Sequence, residues 1–155
     1  MKALIIFILL TLSNGIAFAG DDLSASSRIS AKGLQLQSER LKVIAQNIAN
    51  ADTPGRTANE APYSRKVIQV TTKYNEELNA QVTEVDKIAS DHSRYKLKYE
   101  PHHPSADENG YVKYPNVDHV LEMADAKEAQ RSYEANLSAL EIARANKSKI
   151  LEALK

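Results

Sequence analysis

From Ser24 to Asn50 the sequence is rich in helix-forming residues and contains no proline, and after Pro115-Asn116 it runs to its end with neither glycine nor proline. Proline inside a helix removes a donor and clashes with the preceding turn, so each stretch is free to form one long helix. Two terminal helices are therefore the condition that the rest of the chain must meet. Gly33 is the weak point of the first, costing about 1 kcal/mol relative to alanine.

The apolar positions say how those helices pack. Leu34, Leu41 and Ile48 recur every seven residues with Ile44 beside them, while Ile29, Leu36 and Val43 form a second series on nearly the opposite side. A helix packed on one partner needs one stripe, so a second stripe implies a second neighbour. That neighbour is either another copy or protein, or the middle segment of the same chain. In the C-terminal stretch Ala126, Tyr133, Leu137, Leu140, Leu151 and Leu154 fall on one face with Ala129 at its margin, a spacing that suits a coiled-coil seam. Asn116 is placed to cap this helix, with Asp118 and Glu122 against the positive end of its dipole.

Between the helices the pattern changes. Asn50-Ala51-Asp52-Thr53-Pro54-Gly55 is dense in residues that stop helices and form turns. Runs rich in Val, Ile, Thr and Tyr follow at Tyr63 to Thr71, Gln81 to Ile88, Tyr95 to Tyr99 and Tyr111 to Tyr114, and read as strands of a small sheet. Pro101-His102-His103-Pro104 and the Asp107-Glu108-Asn109-Gly110 turn separate the last two as a hairpin. The expected fold is α+β and mainly α, with an antiparallel coiled-coil-like helix pair. Its parts are a leader over 1–19, helix and turn over 20–55, a β-rich insert over 56–115, and a helix over 116–155.

The leader stands apart from the rest. Lys2 precedes an apolar run from Leu4 to Leu12, and Ala17-Phe18-Ala19 is a small-x-small site, the pattern of a secretory signal peptide. The run is shorter than the roughly 20 residues that span a bilayer. A chain without cysteine suits an oxidising compartment such as the periplasm. Twenty basic and twenty acidic side chains cancel, so no net field draws the protein to nucleic acid or to an anionic surface.

No pattern for catalysis or cofactor binding emerges. Adjacent His102 and His103 lack zinc spacing, and Asp107 to Gly110 lacks the oxygen ligands of a twelve-residue calcium loop. There is no glycine-flanked serine elbow, no phosphate-cradling glycine string, and Glu76-Glu77 are neighbours instead of facing acids across a cleft. The seven tyrosines, mostly in the insert, read as paving strand faces there, and the sequons at Asn136 and Asn146 fall within the helix. Two rival roles from other classes are a periplasmic coiled-coil adaptor or export chaperone, and a peptidoglycan hydrolase.

Arg40 to Gly55, RLKVIAQNIANADTPG, resembles the N-terminal signature of flagellar rod and hook proteins. Asn109 to Asn136, NGYVKYPNVDHVLEMADAKEAQRSYEAN, resembles the proximal-rod branch of the bacterial flagellar basal-body rod protein family. The resemblance implies a structural subunit, with no cofactor. Its terminal helices would pack with those of neighbouring copies, and it would contact other rod, hook and ring proteins of the basal body. By the same resemblance Asn47, Asn50, Thr53 and Pro54 match the signature turn, and Tyr133, Asn136 and Leu137 match the C-terminal helix motif, in packing and capping roles. Lys42 and Gln46 depart from the usual asparagines, and the leader departs from a family exported uncleaved by the flagellum's own apparatus.

Overall fold

The computed structural model describes the backbone of residues 2–153 and the side chains of residues 23–153. Helix α1 covers Lys2–Asn50, strands β1 to β4 cover Lys66–Asn75, Ala80–Ser90, Lys96–Tyr99 and Tyr111–Tyr114, and helix α2 covers His119–Ala153. The signature turn ends α1 as expected. Ala51 N donates to Ile48 O at 3.2 Å, Thr53 N to Asn50 O at 3.1 Å, and the Asn50 side chain to Gln46 O at 2.8 Å. The cap of α2 is not Asn116 but Asp118, whose carboxylate accepts from Val120 N at 2.9 Å and Leu121 N at 3.3 Å. Those two backbone bonds hold its carboxyl below the usual carboxylate range.

The helices pack antiparallel. Lys147 Nζ donates to Ser24 Oγ at 3.1 Å, Gly33 abuts Asn136, and Asn47 bonds Glu122 at 3.0 Å, so the two helices run in opposite directions along the whole contact. Gly33 has a packing reason: a Cβ there would lie 2.5 Å from Asn136 Oδ1. Buried side chains of α1 are Ser30, Gln37, Val43, Ile44 and Asn47, and those of α2 are Glu122, Ala129, Leu140 and Ala143. Polar groups thus occupy positions that an apolar repeat cannot mark.

The expected α2 face is therefore corrected. Leu140 sits in the seam and Ala126, Tyr133 and Asn136 flank it, but Leu137 is 38% exposed and Leu151 55% exposed. The helix repeats every 3.6 residues, which brings Asn136 and not its neighbour Leu137 onto α1. Leu34, Leu41 and Ile48 are half-buried at the seam's margin, and Leu154 lies outside the described residues.

The insert forms two separate two-stranded antiparallel sheets, not one. In the first, β1 pairs with β2 from Lys66↔Ser90 to Asn75↔Ala80, with a bulge after Gln69 where Asp86 is left unpaired. Asn79 closes the turn at φ 48°. This hairpin lies along α1, joined by ion pairs Arg28–Glu77 at 2.7 Å and Lys32–Glu84, with Leu78 and Val82 buried. Val43 shares a cleft with Val67 and Ile68, and Leu36 another with Val85. Leu36 and Val43 of the second apolar series of α1 thus face the chain's own insert, as the second of the alternatives above expects.

In the second sheet Lys96↔Tyr114 to Tyr99↔Tyr111 pair, and Gly110 turns at φ 80°. Val112 and Tyr114 are buried, while Tyr99 and Tyr111 meet edge to face at 5.4 Å on the outer side.

Candidate assembly surface

Where helices and insert meet, one buried polar knot ties all three. Asn47, 1% exposed, uses its whole amide: Nδ2 donates to Lys66 O at 2.9 Å and Glu122 Oε2 at 3.0 Å, and Oδ1 accepts from Lys66 N and Tyr63 OH, each at 2.8 Å. Glu122, fully buried, accepts from Arg65 Nε at 2.6 Å through its other oxygen. Arg65 also reaches Asp125 at 3.5 Å and Asp91 at 3.9 Å. Asn116, freed from capping, accepts from Arg65 N at 2.8 Å and donates to Asp91 O at 3.1 Å.

The electrostatics follow from that crowding. Burial raises the Tyr63 hydroxyl above its ordinary pKa, and the Glu122 charge pushes it further. Bonds from Ser93 lower the Asp91 carboxyl, with Arg65 adding to the effect. Among the described residues no buried side-chain nitrogen or oxygen lacks a partner. A network satisfied to this degree fixes one arrangement of the elements.

Of the residues expected at the signature turn, Asn47 enters the knot, Asn50 closes its helix, and Pro54 and Thr53 face outward as half-buried and exposed positions. Gly55 accepts a bond from the buried Ser105 hydroxyl, which pins the turn to the β3–β4 loop. Glu122 and Arg65 escaped the sequence reading because an acid in a first helical turn reads as a dipole partner.

The outer surface of α2 carries a feature of a different kind. Leu121 and Ala124, and further along Ala135, Ala139 and Ile142, follow helical spacing on one side, with Glu128 and Arg131 between the two groups, and all five are exposed, Leu121 and Ile142 by 62% each. Val120 and Met123 add exposed apolar surface at the same end. Beyond its first turns, where Arg65 reaches Glu122 and Asp125, α2 packs on α1 alone among the described elements. Nothing in this surface has the convergent donors of a chemical site. No group of three or more metal-ligating side chains occurs among the described residues, and no described helix is long and apolar enough to cross a membrane.

Two family models match the two helices, while Tyr63, Arg65 and Lys66 of the knot lie between the matched ranges. The flagella basal body rod protein model matches residues 28–55, and the flagellar basal body rod FlgEFG protein C-terminal model matches residues 108–153. The chain belongs to the flagellar basal-body rod protein family, and its role is that of a structural rod subunit. Similar proteins include the flagellar basal-body rod protein FlgC of Agrobacterium fabrum, 42% identical over 77% of this chain and 86% of its own length. FlgC of Bacillus subtilis is 36% identical over 83% of this chain and 94% of its own, and FlgC of Salmonella typhimurium 44% over 72% and 83%.

Proposed function

We propose that this rod subunit polymerises through its terminal helices, with copies of itself and with other rod, hook and ring proteins, in the proximal part of the rod where it spans the periplasm. The observation that carries this reading is the uncovered α2 stripe of Leu121, Ala124, Ala135, Ala139 and Ile142. A helix–helix contact is favoured by small residues that permit close approach flanked by large apolar ones that fill the groove. Leu137 and Leu151, exposed on α2, and Leu34, Leu41 and Ile48, half-buried on α1, extend the contact surface. Thr53 and Pro54 contribute from the turn, while Asn47, Asn50, Ile44, Tyr133, Asn136 and Leu140 hold the helices that present it. Ile142→Glu is expected to leave unfolding stability within about 0.5 kcal/mol of the parent and to abolish motility. Normal swimming with intact rods in that variant would remove the stripe from the contact.

The residues before Gly20 belong to the same reading. Their charge, apolar run and small-x-small end support a leader that directs export through the general secretory route. N-terminal sequencing of the protein from isolated basal bodies should begin near Gly20. A start at Met1 would instead make these residues a retained extension of α1, which runs from Lys2.

A further inference from the structure

The β3–β4 hairpin carries an open edge. Glu100 N donates to Gly110 O at 2.9 Å, and the register continues in step through Tyr99↔Tyr111 and Lys98↔Val112. Bonded and non-bonded pairs alternate along an antiparallel ladder. Lys96, Lys98 and Glu100 therefore direct their backbone groups to β4, and the N–H and C=O of Leu97 and Tyr99 point the other way. On β4 the same alternation turns the backbone of Tyr111 outward, and there the edge is closed. Tyr111 N donates to Asp107 Oδ1 at 2.8 Å, and Tyr111 O accepts from Asp107 N at 2.9 Å. No turn or loop bond reaches Leu97 or Tyr99 among the described residues. Strand β3 meets β4 alone among the described elements, and all four of its residues are exposed.

Lysine side chains commonly blunt an edge strand, and β3 has two of them. Here both lean toward β4 over the inner face: Lys96 Nζ donates to Val117 O, and Lys98 Nζ lies 4.0 Å from the centre of the Tyr114 ring. The edge itself stays uncovered. Main-chain pairing gives an arriving strand its affinity, and the side chains flanking the edge select its sequence. On the outer face Leu97 and Tyr99, 63% and 65% exposed, continue into Tyr111 and call for apolar side chains. On the inner face the two ammonium groups call for carboxylates at the alternating positions, because opposite charges across a ladder attract and like charges repel. That second requirement disfavours β3 of another copy, which would bring lysine opposite lysine.

We propose that the free edge of β3 is a docking site for an extended segment of a partner protein in which apolar and acidic residues alternate. The segment becomes a third strand. Its backbone takes up the N–H and C=O of Leu97 and Tyr99, its apolar side chains lie on those of the same two residues, and its carboxylates meet Lys96 and Lys98. A two-stranded ribbon is marginal on its own, so the added strand also steadies the hairpin that receives it. This contact is made by the insert and is separate from the helix contact proposed above.

The probe is a short blocked peptide of alternating valine and glutamate, titrated into the full chain, with a peptide of alternating valine and lysine as its control. Amide hydrogen exchange at Leu97 and Tyr99 is expected to slow about tenfold in excess of the first peptide and to be unchanged by the second. Added salt should weaken the effect. Leu97→Pro removes a donor that β4 does not use and sets a ring across the edge, so slow exchange at Val112 should persist while peptide affinity falls about tenfold. Lys96→Glu with Lys98→Glu leaves every backbone donor in place and should invert the preference between the two peptides. No slowing at Leu97 and Tyr99, equal slowing by both peptides, or a preference that survives the charge reversal overturns the proposal. Self-association of the parent chain that Leu97→Pro abolishes would also overturn it, by giving the edge to a second copy. These measurements are made in solution on the isolated chain, so their outcome is separate from the rod role, which absence of the chain from isolated basal bodies would sink.

Discussion

Helices α1 and α2 differ less in length of contact than in how much of their circumference is occupied. The described part of α1 is covered twice, by α2 on one side and by the β1–β2 hairpin on another, whereas α2 is packed on α1 alone beyond the turns where Arg65 reaches Glu122 and Asp125. Apolar periodicity marked α1 as the helix in need of outside partners. The structure sets Leu36 and Val43 of its second stripe against the chain's own insert, leaves Leu34, Leu41 and Ile48 half-buried, and gives α2 the more open surface, although α2 is the more polar sequence of the two. An apolar stripe shows that a face will be covered; what covers it depends on where the chain's other segments fall. A stripe built largely from alanine is easily passed over, because alanine is also a good helix former and needs no further reason to be there.

The contrast can be broken most directly at the knot. Glu122→Ala leaves the Arg65 guanidinium and the Asn47 amide without their buried acceptor, and is expected to lower unfolding stability by about 3 kcal/mol. Urea denaturation followed by circular dichroism measures it. A loss under about 1 kcal/mol would mean that the helices are held by apolar seam alone. Next in size is a matched pair. Ile44→Ala, at a position 7% exposed, should cost about 2–4 kcal/mol, while Leu137→Ala, 38% exposed, should cost about 1 kcal/mol or less and act mainly on assembly. Equal losses would return Leu137 to the seam.

The smallest effect is one of pH. The Asp118 carboxyl is held below the ordinary carboxylate range by the two backbone bonds of the α2 cap. Protons therefore bind the unfolded chain more tightly, so the stability this group contributes is complete above about pH 4, the unfolded carboxyl's range, and is lost as pH falls further through the folded pKa. Thermal midpoints recorded from pH 6 to pH 3 should fall over the last unit of that range, and Asp118→Asn, which keeps an acceptor without the charge, should fall less steeply.

Much of the architecture was legible before any coordinates. Proline-free stretches delimit both helices, Asn50 to Gly55 stops the first, and strand-forming runs locate all four strands to within a few residues. What escaped was governed by single polar side chains. Nothing in the order of residues distinguishes Asn116 from Asp118 as the cap until the backbone shows which carboxylate meets the free amides. Ser30, Gln37, Asn47 and Glu122 occupy seam positions that a hydrophobic count scores as surface. The split into two small sheets depends on how the segment from Asp91 to Tyr95 is pinned by Asn116 and Ser64, contacts too distant in sequence to be anticipated.

The knot has a mechanical meaning as well as an energetic one. Asn47 sits on α1, Glu122 on α2, and Arg65 at the entrance to the insert, so a twisting load applied to the insert passes into both helices through one cluster of short, saturated bonds. Because every lone pair and proton of Asn47 is already committed, the cluster cannot yield by exchanging partners; it holds or it fails as a unit. For a part of a rotating shaft, that makes the junction behave as a shear pin, stiff up to its limit and placed where the three moving members of the subunit meet.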